Sequence, residues 1–167
     1  MKKKVIVTFL LLFSLFLVVG CTNNKKTETK KEKLASIENE KETYIKCVKK
    51  LEKIKKSSEE LPFSIEVKYD QIKDEVRYQV IVDNPKSEIK NIKALAIHNK
   101  QTDDVFPSVG IFDKKVNLIP GKKPSGVILV GYFPYEGKIE NLDVEVKVYI
   151  SYIMDEKEYT SYYVTKK

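Results

Sequence analysis

Few residues in this chain of 167 are equipped for covalent or metal chemistry: two cysteines, Cys21 and Cys47, and one histidine, His98. A serine or cysteine nucleophile stays weak until a base stands beside it. His98 is the only imidazole, and it closes an apolar run next to Asn99. None of Ser64, Ser87, Ser108, Ser125, Ser151 and Ser161 lies in a G-x-S-x-G context. Zinc and copper sites draw on several imidazole or thiolate ligands, which His98, Cys47 and Met154 do not supply between them. Calcium takes carboxylate oxygens, and Asp103 and Asp104, or Asp70, Asp74 and Glu75, are candidates, although no EF-hand spacing is present. Acids are numerous enough for a glycosidase pair, yet nothing distinguishes any two of them. The six glycines are scattered and form no phosphate-binding loop. The expectation is a protein that is not an enzyme, with no cofactor and no metal site.

Tyrosine offers a different chemistry. Val144, Val146, Val148 and Ile150 alternate as the inward face of a strand, which turns Tyr149 outward. If Tyr162 and Val164 of the next strand also face inward, Tyr159 and Tyr163 join Tyr149 on one outer face. Such a face is a candidate binding surface that stacks on sugar rings or anchors a protein partner. The competing readings are that tyrosine suits half-exposed strands, or that another element covers this face.

The N-terminus carries its own pattern. Lys2, Lys3 and Lys4 precede fifteen residues, 5–19, interrupted only by Thr8 and Ser14. A membrane-spanning helix needs about 20 apolar residues, so this run reads as a removable targeting segment. It ends in Val18, Val19, Gly20 and Cys21, followed by the polar Thr22, Asn23 and Asn24. This resembles the lipobox of bacterial lipoprotein precursors, with Val18 where leucine is commoner. The resemblance covers about 24 residues. It implies a diacylglyceryl group on the Cys21 thiol, cleavage before that cysteine, and retention on the extracytoplasmic face of the cell membrane. Two or more acyl chains hold a protein stably, at about 0.8 kcal/mol per buried methylene. Cys47 is then the sole free thiol, and no intramolecular disulfide is expected.

The net charge of +7 is unevenly spread. Residues 22–33 hold five lysines against Glu28 and Glu32, whereas residues 61–167 hold fifteen lysines and Arg77 against sixteen acids. A nucleic-acid binder carries its basic patch on the folded domain. Here the domain is neutral, and no nucleic-acid partner is expected.

The elements that position these residues follow from period. Residues 1–20 form the signal peptide. Residues 21–33 lack apolar side chains after Cys21 and read as a lipidated, disordered tether, with lysines close to anionic headgroups or simply solvated. Within 34–60 the spacing predicts one amphipathic helix, from Leu34 to about Ser58, with Ser36 as N-cap. Ile37, Tyr44, Val48 and Leu51 form its stripe, flanked by Cys47 and Ile54. An isolated helix of this kind is marginal in water. The expected cover is the chain's own sandwich, with a partner helix or the membrane surface as alternatives.

After Pro62 the period becomes two. Strands are predicted over 63–69, 76–82, 92–98, 105–112, 116–119, 127–133, 144–152 and 159–164, the sixth apolar on both faces as a central strand would be. The fold expected for 61–167 is a mainly β, antiparallel sandwich of seven to eight strands. Residues 78–85 and 118–126 in particular resemble the immunoglobulin-like sandwiches of small Gram-positive lipoproteins, a likeness that implies no known activity. The function expected is a membrane-anchored, non-catalytic module binding a protein or cell-wall partner. A solute- or ion-binding accessory lipoprotein and a cell-wall-active enzyme are the alternatives.

Overall fold

Period-two patterning becomes a strand wherever β-branched and aromatic residues can bury one face and leave the other to solvent. The computed structural model describes residues 30–100, 108–122 and 126–167. The expected signal peptide, Val18, Val19, Gly20, Cys21, most of the expected tether, Asp103 and Asp104 lie outside the described residues. Residues 36–167 make up one compact unit, and residues 1–35 belong to a second.

Among the described residues, one α-helix, α1 (Lys30–Glu52), precedes seven strands: β1 (Ser64–Ile72), β2 (Glu75–Asp83), β3 (Ile89–His98), β4 (Ser108–Leu118), β5 (Gly126–Pro134), β6 (Glu145–Met154) and β7 (Lys157–Lys166). They pair antiparallel in two sheets, ordered β1-β2-β5 and β4-β3-β6-β7. The chain is mainly β and sandwich-like, as its period indicates.

Between the sheets lies the main core. Val76, Tyr78, Val80 and Val82 of β2, with Val127, Leu129 and Phe133 of β5, meet Ile92, Ala94 and Ala96 of β3 and Val146, Val148 and Ile150 of β6. Gly131 continues the inward face of β5 because nothing larger fits. A Cβ there would stand 2.5 Å from the ring of Tyr78, which is itself fully buried. The β6–β7 hairpin turns through Asp155 and Glu156, whose φ angles of 49° and 62° are the left-handed pair of a type I′ turn.

A second apolar cluster forms on the outer face of the four-stranded sheet. Leu51 of α1 is 0% exposed there, packed with Leu95 and Ile97 of β3 and bordered by Tyr44, Cys47, Val48, Ile54, Phe112, Tyr149 and Tyr162. Lys147 Nζ donates to the carbonyl of Glu52 at 2.8 Å, which satisfies an otherwise open helix C-terminus. Further back along the helix, residues 38–43 are all exposed, so between residues 38 and 52 the packing lies in the last turns.

Three expectations change. The helix begins at Lys30 and ends at Glu52, so Ser36 lies inside it and residues 30–33 are helical. Lysine, glutamate and alanine are good helix formers and extend the element beyond its apolar stripe. The two strands expected over 105–112 and 116–119 are one strand, β4, interrupted by a register shift. Val116 faces Ile92 and Ile111 faces Ala94, so four residues of β4 oppose one of β3. The strand expected to be central, β5, is an edge strand. Its even-numbered residues point to solvent rather than into a second layer.

Leu51→Asp is expected to cost at least about 3 kcal/mol, since it removes a buried aliphatic side chain and buries a charge. Chemical denaturation checks this. Unchanged stability would mean that the helix does not seal the sheet.

Candidate interaction surface

The three tyrosines picked out by pattern do not share a face. Tyr149 pairs in register with Tyr162 across β6 and β7, their ring centroids 6.0 Å apart, and both lie in the cluster under α1. Lys50 of the helix sits over the Tyr162 ring at 5.5 Å. Tyr163 pairs with Val148 and packs against the main core instead. Tyr159 pairs with Tyr152 and stacks on its ring at 5.6 Å. The expected set of Tyr149, Tyr159 and Tyr163 is thus off by one residue in β7. Register is fixed by the two-residue turn, and a shift of one exchanges the faces. Tyr149 is also covered, which favours the reading of a helix over this face.

Other candidate groups are engaged with one another. His98 Nδ1 accepts the Lys100 N–H at 3.2 Å, and its ring lies against Tyr78 and Phe133 at 5.4 and 5.0 Å. A cleft of about 250 Å3 beside it is lined by Glu52, Ile97, His98, Asn99, Glu145 and Lys147. Burial pushes the Glu145 carboxyl up, but the ammonium groups of Lys166 and Lys147, 3.3 and 3.4 Å away, outweigh it and hold the group below the ordinary carboxylate range. Cys47 is half-buried beside Tyr149, and burial raises its thiol above the usual range. Asp70 is occupied by Arg77 at 2.7 Å. Among the described residues, no group of three histidine, cysteine or acidic side chains is placed to hold a metal ion. No described helix is long and apolar enough to cross a membrane.

Among the described residues, the face left open is the outer one of the three-stranded sheet, and the register orders it into rows. Glu66, Ile81 and Ile128 form one, Lys68, Gln79 and Val130 the next, and Asp70, Arg77 and Tyr132 a third. The face therefore grades from charge on β1 to apolar side chains on β5. Glu66 pairs with Lys68 at 3.4 Å and Asp70 with Arg77, so the charged side neutralises itself. On β5, Ile128, Val130 and Tyr132 are 53%, 40% and 46% exposed. An exposed isoleucine alone is ordinary, but three neighbours in one stripe form a patch. Sequence reasoning missed it by reading the two apolar faces of β5 as a sign of central placement. The signal that distinguishes the cases is the pairing order, which lies in no local pattern.

Compared with known proteins, the chain matches no protein-family model and no curated protein.

Tyr69 of β1 is half-buried, and its hydroxyl finds no hydrogen-bond partner among the described residues. Burial pushes its pKa up from 10.0 to about 12. Tyr78, Tyr149 and Tyr44 are raised for the same reason. A raised tyrosine favours the folded state while neutral, so its contribution is complete below pH 10 and is lost as pH climbs towards 12. Denaturation midpoints are expected to begin falling above pH 9.0, where the Cys47 thiol ionises in the unfolded chain, and to fall further beyond pH 10. Tyr69→Phe should flatten that fall, and an equal slope in the variant would refute the assignment.

Proposed function

We propose that this chain is a lipid-anchored, extracytoplasmic module that acts by binding and not by catalysis. The apolar stripe of Ile128, Val130 and Tyr132 carries the binding part of this reading. One outer face of the sandwich is closed by α1, and the other keeps an apolar edge open to solvent. Desolvating that stripe against a protein would contribute roughly 25 cal/mol per Å2 of apolar surface removed from water. The anchoring part is supported by the sequence Val18, Val19, Gly20, Cys21 behind a short apolar run. Lipid on Cys21 would hold the domain at the outer face of the cell membrane, and the immunoglobulin-like reading suits the two-sheet strand order.

Replacement of the thiol separates anchoring from folding. Cys21→Ala expressed in a bacterium is expected to abolish incorporation of labelled fatty acid and to leave uncleaved precursor or shed protein. Normal cleavage and acylation in that variant would refute the lipidated cysteine.

A further inference from the structure

A two-sheet sandwich has four edge strands, and exposed edges are usually blunted against pairing with other chains. Three of the four are blunted in this fold. β7 is covered by the segment after α1: the Ser58 N–H donates to the Tyr162 carbonyl at 2.8 Å, and the Tyr162 and Val164 N–H groups donate to Ser58 Oγ and Ser57 Oγ, each at 2.9 Å. β4 is interrupted by its register shift against β3, a bulge that breaks the regular edge. β1 carries Glu66, Lys68 and Asp70 on its outward face.

The charges on β1 oppose self-pairing specifically. A twofold antiparallel pairing centred on Lys68, the midpoint of Ser64–Ile72, would set Lys68 against Lys68 and Glu66 against Asp70. Like charges directly opposite are destabilising. The edge strand β5, by contrast, reads GVILVGYFP and has no charged residue, in a chain of which 33% is charged. Its midpoint is Val130. Centred there, a second copy would place Val130 on Val130 and Ile128 on Tyr132 along the open face. β5 has a hydrogen-bonded neighbour only on its β2 side among the described residues.

We infer that β5 is the seat of a second copy of this chain, joined edge to edge by twofold antiparallel pairing about Val130. The two three-stranded sheets become one six-stranded sheet, and the two apolar stripes meet as one patch flanked by the charged β1 strands. Such a contact is isologous and closes after two copies, so it does not propagate into fibres. A single strand edge offers little area beside the roughly 1,200–2,000 Å2 of a stable interface. The inference therefore rests on the lipid-anchor reading, because confinement to one membrane surface raises the local concentration of copies.

Disulfide trapping tests the pairing in the full chain. With Cys47→Ala as background, Val130→Cys is expressed in a bacterium, the membranes are sedimented, and the pellet is oxidised. The expected result is a shift of the chain from monomer to dimer on a non-reducing gel, with no shift for Lys68→Cys. Co-expression of Ile128→Cys and Tyr132→Cys chains should give a mixed dimer that neither gives alone, since cross-strand Cβ atoms directly opposite are within disulfide reach. Monomeric Val130→Cys in the pellet, or its linkage to a different chain, would overturn the second copy while leaving the anchored module standing. Absence of the chain from the pellet before oxidation would overturn both.

Discussion

The arrangement depends on the burial of the last turns of α1 against the outer face of the four-stranded sheet. Leu51 packs with Leu95 and Ile97, and Tyr44 meets Phe112 edge-on with ring centroids 6.1 Å apart. Without this cover β3, β6 and β7 would expose Leu95, Tyr149 and Tyr162 together. Burying an aliphatic or aromatic side chain contributes about 1.5–3 kcal/mol, so several such residues offset the ordering of a short helix segment. The same packing sets where the chain goes next. Lys147 fixes the helix end at Glu52, and the following residues run along β7, where Ser57 and Ser58 satisfy its backbone.

One structural decision thus accounts for the contrast between the two faces of the sandwich. The helix covers one sheet and its continuation blunts that sheet's β7 edge, so neither is open to another molecule. The opposite sheet has no helix over it among the described residues, and its chemistry is divided across three strands. β1 is charged and internally paired, β2 is mixed, and β5 is apolar. A sheet face meant only for solvent would carry polar residues on its edge strand as well as on its far side. The gradient towards β5 is what gives the open face a direction.

Much of this was legible in the sequence. The change from period 3.6 to period 2 at Pro62 placed the helix before the strands, and Tyr44, Val48 and Leu51 of the expected stripe, with Cys47 and Ile54 beside them, match the face that packs, while the Ile37 side chain lies outside the described residues. The alternation of Val144, Val146, Val148 and Ile150 identified the inward side of β6 and turned Tyr149 outward. What failed depended on pairing between distant segments. Tyr159 and Tyr163 were assigned to the wrong face because the register between β6 and β7 was set by Asp155 and Glu156 in a turn whose φ angles no composition reveals. β5 looked central because both its faces are apolar. A central strand and an edge strand that serves a contact have the same local pattern.

Tyrosine footprinting of the folded chain, with the modification rate of each residue read by mass spectrometry, tests the contrast between the faces most directly. Tyr132 should react rapidly when the protein is dilute and monomeric, while Tyr149 and Tyr162 beneath α1 stay protected until the protein is unfolded. Modification of Tyr149 and Tyr162 at the rate of Tyr132 in the folded chain would show that the helix does not close its sheet, and would contradict the account.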